Sequence, residues 1–221
     1  MTVLAPPTLS ALQQQVRQLH AKATPWLPAG LGSRLDWGPP VAPQSLVLSC
    51  RALAGIREHN PGDFTLSVAA GTPLLEVQEA LAHHGQWLAV DQPWGAAAGS
   101  IGGLLGRGLA GGYRQRAMGL RDQLLGIQLL RSDGVLARAG GKVVKNVAGY
   151  DLMRLLTGSW GSLALITELT LRTQPIPPER RSLLIQGELP ALQQLSHWLR
   201  GSSLSPERID LCSAPLAAAA G

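Results

Sequence analysis

The fold of this chain is decided by a glycine-rich stretch, Gly99-Ser100-Ile101-Gly102-Gly103. It lies inside a longer run from Gly95 to Gly112, in which glycine is concentrated. The glycines follow no strict period and are interrupted by Ile101 and Leu104, which argues against a collagen-like or linker segment. Because glycine lets the main chain approach a ligand closely, this run predicts contact with an aromatic ring system. A branched side chain at Gly102 is therefore expected to occupy the space of that ring.

A second glycine loop, Ala29-Gly30-Leu31-Gly32-Ser33-Arg34, follows Pro28. Its N–H groups can turn toward a pyrophosphate and Arg34 can add a charge-assisted hydrogen bond, although a plain turn is equally compatible. The loop is not a nicotinamide Rossmann fingerprint, because Leu35 stands where the third glycine belongs. Gly141-Lys142 is not a Walker P-loop either, because Val143 follows where serine or threonine is required.

Hydrophobic periodicity predicts a mixed α+β chain rather than a regular βαβ repeat. Helices are predicted over residues 9–23, 72–84, 101–109, 151–156 and 189–199, and strands over 45–49, 64–69, 87–90, 124–130, 135–139, 163–173 and 183–186. Thr72 with Pro73 is predicted to begin a helix as its N-cap and first residue. Ser132-Asp133-Gly134 predicts a hairpin turn. Prolines at 175, 177 and 178 mark a boundary, and the alanine-rich tail from 214 is predicted to form no element.

Composition restricts the class of protein. The formal charge is +5, but the basic residues are dispersed, which disfavours nucleic-acid binding. Cys50 and Cys212 are too few for an iron–sulfur cluster or a structural zinc, which need about four ligands, and they form no disulfide framework. Residues 1–11 lack a signal-peptide pattern, and no stretch reaches the roughly 18 apolar residues of a membrane span. The sequence thus predicts a cytoplasmic protein, associated with a membrane only through partners.

Six short blocks succeed one another along the chain. They are Pro28 to Arg34, Leu66 to Leu74, Gly99 to Gly103, Leu120 to Gly126, Lys142 to Leu152 and Gly158 to Leu163. In this order, over residues 9–175, they resemble the FAD-binding domain of the vanillyl-alcohol-oxidase and p-cresol-methylhydroxylase (PCMH) superfamily. The block Lys145-Asn146-Val147-Ala148-Gly149-Tyr150-Asp151 resembles more narrowly the FAD-binding E subunits of three-subunit glycolate oxidases.

The resemblance implies an α+β, two-lobed PCMH-type FAD-binding domain over residues 1–175. Its lobes would cover about 9–90 and 91–175, with FAD stretched between them, and residues 176–221 would be a remnant or the start of a C-terminal substrate domain. Because such a domain supplies much of the substrate pocket, no general base is nominated.

The resemblance also implies which residues contact FAD. The pyrophosphate would be held by Ala29, Gly30, Leu31, Gly32, Ser33 and Arg34. The isoalloxazine and ribityl chain would be lined by Pro93, Gly99, Ser100, Ile101, Gly102 and Gly103, with Gly106 close by. Gly149, Asp151 and Gly158 would shape the loop near the cofactor, and Ile166 would approach the adenine end through its backbone. Lys145 would lie near the flavin or the phosphates, although a solvated surface lysine is equally compatible.

The flavin is expected to be non-covalent. Covalent members of the superfamily tether it through a histidine of the first loop or a cysteine before the second, whereas residues 29–35 contain no histidine and no cysteine lies between Cys50 and Gly99.

By resemblance, the expected function is that of an FAD-binding subunit of a glycolate oxidase complex. It would oxidise a 2-hydroxy acid, glycolate to glyoxylate, or relay the electrons through FAD to a catalytic flavoprotein subunit and an iron–sulfur subunit. A scaffold subunit with little or no flavin remains the alternative. Its support is the reduced substrate domain and the leucine-rich helix from Leu189 to Leu199. A stand-alone flavin oxidase would need a complete substrate pocket.

Overall fold

The computed structural model describes residues 1–38, 42, 45–91, 99–142 and 151–220. Pro93, Lys145 and Gly149, which are among the expected FAD contacts, lie outside the described residues. The helices of the described part are α1 (Leu9–Ala21), α2 (Leu74–Ala82), α3 (Ile101–Arg107), α4 (Arg114–Ala117), α5 (Leu120–Gln123), α6 (Leu152–Leu156), α7 (Leu189–Gly201) and α8 (Ala214–Ala220). The strands are β1 (Thr2–Leu4), β2 (Trp26–Ala29), β3 (Leu46–Ser49), β4 (Ile56–Asn60), β5 (Thr65–Ala69), β6 (Gln86–Trp87), β7 (Leu124–Leu130), β8 (Leu136–Gly140), β9 (Leu165–Arg172) and β10 (Gln174–Pro175).

Within the described residues, the strands form three sheets. A parallel sheet has the order β1-β3-β2, a larger antiparallel sheet has the order β4-β5-β9-β7-β8, and β6 pairs with β10. The two larger sheets therefore divide the chain between β3 and β4. The lobe boundary expected at residue 90 does not coincide with this division, because β5 lies beside β9. Which strands become neighbours depends on contacts far apart in sequence, and hydrophobic periodicity carries no information about them.

Each larger sheet packs against its own helices. Helix α1 begins at the N-cap Thr8, whose hydroxyl accepts a hydrogen bond from the N–H of Ala11, and it buries Leu12, Val16 and Leu19 in a core shared with β3. Helices α2 and α3 share a second core with the five-stranded sheet. Strand β5 is buried at all five positions because it lies between β4 and β9 with helices over the sheet. This second core includes Ile101 and so supports the glycine-rich segment from Gly99 to Gly103.

The start of α2 differs from the prediction. Pro73 rather than Thr72 occupies the N-cap position, and it has no side chain that can cap. The Thr72 hydroxyl instead donates to the carbonyl of Ala69 at 2.7 Å and accepts from the N–H of Gly55 at 2.9 Å. Thr72 is fully buried, so its hydroxyl holds a turn together inside the fold rather than capping a helix.

Some of the other predicted helices and strands agree with the structure, and some do not. Helix α1, strand β5 and the β7–β8 hairpin are confirmed, and at the hairpin turn the N–H of Val135 donates to the carboxylate of Asp133. The strand predicted over 183–186 is wrong, since these residues form no ladder and are exposed. The tail expected to form no element contains α8. Strand β4 was missed because it carries polar residues at an edge of the sheet, without apolar alternation. None of the described helices is long and apolar enough to cross a membrane.

Candidate cofactor-binding cleft

A cleft of about 100 Å³ lies where the end of β2, helix α3 and the residues leading into β9 meet. The expected FAD contacts that line it are Ala29, Gly30, Gly102, Gly103, Gly106 and Ile166. Residues that sequence reasoning did not assign to the site also line it: Pro28, Cys50, Arg107, Trp160, Gly161, Ala164 and Leu165. Sites that enclose a small molecule measure roughly 300–1,000 Å³. The cleft is smaller than this range, so it can enclose only one portion of a dinucleotide.

The two glycine segments come together at this cleft. A Cβ atom on Gly30 would lie 1.9 Å from the Oγ of Ser100, so a side chain at position 30 would prevent the loop after β2 from packing on the start of α3. The loop is held from its other side, where the Ser49 hydroxyl donates to the carbonyl of Gly30 at 2.6 Å and the N–H of Cys50 donates to that of Ala29 at 2.7 Å. The parallel β2–β3 pair thus positions the first glycine loop against the second.

Helix α3 is anchored at its first turn. The Ser100 hydroxyl is the N-cap and accepts from the N–H of Gly103 at 3.2 Å. A Cβ on Gly102 would lie 2.6 Å from the Cβ and 2.8 Å from the carbonyl oxygen of Ala70, at the end of β5. A side chain at Gly102 would therefore collide with Ala70. The expectation that it would occupy the space of the ligand's ring is wrong, because atoms of the protein already fill that space. Ile101 is fully buried and forms part of the core.

Gly106, one turn further along α3, is different. It is buried and lines the cleft, yet a Cβ built on it would have no atom of the described residues within 4 Å, its own helix backbone and chain neighbours apart. Its carbonyl accepts a hydrogen bond from the N–H of Trp160 at 2.8 Å, which holds the loop before β9 against α3. Among the described residues, Gly106 thus differs from Gly102, whose Cβ position is filled by Ala70.

The loop before β9 closes one side of the cleft. Gly158 and Gly161 both have a φ of +75°, and the N–H of Gly158 donates to the carbonyl of Leu105 at 3.0 Å. A Cβ on Gly161 would lie 2.2 Å from the Cγ of Pro28, so this glycine is required by both its backbone conformation and its close packing. Gly158 lies in this loop without lining the cleft.

Arg34 and Arg107 carry positive charge in this region. Arg34 is 6% exposed, its Nη1 donates to the Ser33 hydroxyl at 3.2 Å, and its guanidinium lies 5.2 Å from the ring of Trp37. Burial lowers the pKa of the Arg34 guanidinium. Leu31 and Gly32 lie in the same loop, and a Cβ on Gly99 would lie 2.4 Å from Nη1 of Arg34. Arg34 therefore lies between the two glycine segments, beside the cleft.

Cys50 lines the cleft as a neutral thiol. It is buried, and its Sγ lies 3.7 Å from the carbonyl oxygen of Ile166, to which it donates. Burial raises the pKa of the Cys50 thiol to about 12. The thiolate is the nucleophilic form, so this cysteine is unreactive at neutral pH.

Asp151 lies elsewhere. Its carboxylate caps α6 by accepting from the N–H of Arg154 at 3.3 Å, and it pairs with the Nε of the same arginine at 3.0 Å. Asp151 lines a different and more open cavity of about 490 Å³, together with Arg121, Arg154, Leu155 and Thr157. The glycine segments do not reach this second cavity, which is why the smaller cleft is the stronger candidate for a cofactor.

Residues 2–140 match a family model described as an FAD binding domain. The chain belongs to the FAD-binding domain family. It is 36% identical over 191 residues to glycolate oxidase subunit GlcE of Escherichia coli (strain K12), covering 85% of this chain and 53% of that protein. It is 35% identical over 199 residues to a D-2-hydroxyglutarate dehydrogenase of Xanthomonas citri pv. viticola, covering 88% of this chain and 41% of the relative. The chain thus spans about half the length, or less, of these curated relatives.

The solved structure of alkyldihydroxyacetonephosphate synthase has the same fold. Its TM-score is 0.67 at 19% identity, over 80% of this chain and 32% of that one. The expected α+β, PCMH-type FAD-binding fold is therefore confirmed. Sequence reasoning missed Arg107 and Trp160 because these residues are far apart in the chain, and no local pattern signals a contact between them.

Proposed function

We propose that this chain holds FAD non-covalently as the FAD-binding subunit of an oxidoreductase complex that acts on 2-hydroxy acids, oxidising glycolate to glyoxylate or relaying the electrons. The observation that carries the proposal is the meeting of two glycine segments at a cleft beside the buried Arg34 and the half-buried Arg107, within an FAD-binding domain. The similarity to a glycolate oxidase subunit and to a D-2-hydroxy acid dehydrogenase supports the substrate class.

The cleft fits a portion of FAD on the evidence of its own residues. Among the described residues, the space beside Gly106 is open and can receive a ligand, and the positive charge of the arginines matches a pyrophosphate. We propose that the loop from Ala29 to Arg34 binds the pyrophosphate, that Gly99, Ser100, Gly103 and Gly106 follow the ribityl chain, and that the backbone of Ile166 approaches the adenine. When bound, FAD supplies an isoalloxazine ring that accepts two electrons from the hydroxy acid.

The residues outside or away from the cleft have narrower roles in this proposal. Pro93, Lys145 and Gly149 remain proposed contacts near the isoalloxazine and the phosphates. Asp151 acts through the helix that it caps, since its carboxylate is engaged with Arg154.

Non-covalent binding is supported by the chemistry of the cleft. The first loop contains no histidine, and Cys50, which lines the cleft, is held as a protonated thiol. A thioether to the flavin would need the thiolate. The flavin should therefore dissociate on denaturation.

Electrons must pass from the flavin to another component. Within the described residues, no group of three or more histidine, cysteine, aspartate or glutamate side chains could hold a metal ion. We propose a catalytic flavoprotein subunit and an iron–sulfur subunit as partners, in keeping with the subunit names of the relatives GlcE and, at 31% identity over 183 residues, GlcD of Bacillus subtilis. A cytoplasmic location, with any membrane association made through these partners, belongs to the same proposal.

A scaffold subunit of the same kind of complex, with little or no flavin, is the second candidate. One observation favours it: α7 buries none of its residues and exposes Leu189 and Trp198, and Leu183 and Leu184 before it are exposed as well. Apolar side chains exposed in one segment are typical of surfaces that bind a partner.

An absorption spectrum of the purified protein, before and after acid precipitation, separates the two candidates. Flavin bands that move wholly into the supernatant support the non-covalent flavoprotein, and bleaching by glycolate in the presence of partner subunits would then support the substrate class. Flavin that stays with the precipitate would contradict non-covalent binding. Colourless protein that takes up no added FAD would favour the scaffold.

A further inference from the structure

Arg107, the last residue of α3, has an unusual position at the cleft. Its guanidinium carbon lies 3.9 Å from the ring centroid of Trp160, in a stacked cation–π contact, and the side chain lines the cleft. Its Nη2 donates to the carbonyl of Arg34, in the first glycine loop. The guanidinium is therefore held between an aromatic face and the loop proposed to bind the pyrophosphate.

The other terminal nitrogen of Arg107 lacks an acceptor among the described residues. Nη1 is buried and has no hydrogen-bond partner within the described part of the chain. A buried donor without an acceptor costs free energy, and more so when the donor is charged. Such an atom at the wall of a cleft indicates that its acceptor is supplied by a ligand.

The charge of Arg107 also lacks direct compensation. No carboxylate of the described residues lies within 4.0 Å of its guanidinium, whereas Arg34 is close enough to lower its pKa. Burial is the largest cause of this lowering of the Arg107 pKa, and the negative charge of Asp36 opposes it. Two neighbouring cations repel each other until an anion binds beside them.

We infer that Arg107, stacked on Trp160, is an anion-binding residue of the cleft and donates from Nη1 to a phosphate of the cofactor's diphosphate. The inference rests on the proposed function and adds a residue that the first glycine loop does not contain. Stacking on an indole leaves the edge of the guanidinium directed at the acceptor, and the planar fork of arginine provides this geometry where the ammonium of lysine does not.

The inference is tested on flavin-free protein by titration calorimetry with three probes: FAD, ADP and riboflavin. ADP keeps the adenylate half of FAD and a diphosphate, whereas riboflavin has no phosphate. Arg107→Met should weaken FAD and ADP binding roughly 10- to 150-fold, as expected for a hydrogen bond to a charged group, and leave riboflavin binding unchanged. Arg131→Met removes the same charge from an exposed hairpin arginine and should leave binding of all three unchanged.

A second variant keeps the test decisive if Arg107→Met does not fold, as judged by circular dichroism. Arg107→Lys retains the charge without the fork, so ADP affinity should still fall several-fold while riboflavin affinity stays the same. Unchanged FAD and ADP affinity in the folded variants overturns the inference and leaves the proposed function intact. Equal losses for riboflavin and ADP also overturn it, because they indicate a general disturbance of the cleft. If the wild-type protein binds no FAD, the proposed function and the inference both fail.

Discussion

Gly106 provides the sharpest test of where the cofactor lies. In Gly106→Leu the new Cβ has no atom of the described residues within 4 Å beyond its own helix backbone and chain neighbours, so we expect the flavin-free protein to accept the side chain. Replacing a helical glycine by a good helix former should raise the free energy of unfolding by about 0.8–1.0 kcal/mol. The same isobutyl group projects into a cleft of only about 100 Å³. If FAD lies along this face of α3, the overlap should weaken its binding by about 1–3 kcal/mol, roughly 5- to 150-fold in Kd.

The measurement pairs two assays on the same flavin-free protein. Urea unfolding gives the free energy of unfolding, and quenching of flavin fluorescence on titration gives the Kd for FAD. Gly201→Leu is the matched control. Gly201 is also helical and its Cβ position is also clear of the rest of the described chain within 4 Å, but it does not line the cleft. It should leave the Kd unchanged. Gly106→Ala should fall between the wild type and the leucine variant.

Two outcomes would refute this reasoning. A stable Gly106→Leu variant that binds FAD with the affinity of the wild type would show that the cofactor does not approach this face of α3. A variant that unfolds more easily than the wild type would show that the space beside Gly106 is not open. Gly102→Leu is unsuited to the test, because its side chain would strike Ala70 and damage the fold whether or not FAD binds.

Two further predictions concern the buried polar groups of the fold. Because burial raises the pKa of Cys50 from its ordinary value of 9.0 to about 12, its neutral thiol stabilises the folded protein fully below pH 9, and this contribution is lost as the pH rises toward 12. Over that window the free energy of unfolding of the wild type should fall up to about 1.4 kcal/mol per pH unit more steeply than that of Cys50→Ala; parallel curves would contradict the shift. Thr72→Val should lower the free energy of unfolding in urea by about 1–3 kcal/mol, since it leaves the N–H of Gly55 and the carbonyl of Ala69 without the hydroxyl, whereas Thr72→Ser should retain most of it. A larger loss in Thr72→Ser than in Thr72→Val would mean that the methyl group, not the hydroxyl, matters.

Local sequence patterns were sufficient to predict most of the helices and strands. The apolar spacing of Leu12, Val16 and Leu19 predicts α1, and Asp133-Gly134 between two apolar runs predicts the β7–β8 hairpin, because each of these elements satisfies its own geometry over a few residues. Local patterns failed where the formation of an element depends on a pairing partner elsewhere in the chain. The residues at 183–186 have the composition of a strand, but a strand exists only with a partner, and the described chain offers none there.

The candidate site divides in the same way. The order of six short blocks was enough to predict the FAD-binding fold and the two glycine segments, since their small residues are needed at set points of the main chain. Only the tertiary structure separated the glycines: a Cβ at Gly30 or Gly102 would meet the protein's own atoms, whereas a Cβ at Gly106 would meet none of the described residues outside its own helix. The same holds for Arg107, which meets Trp160 and the first glycine loop only after α3 and the residues before β9 have packed together. Sequence states which groups are available, but the distances that make them a site arise from contacts between residues far apart in the chain.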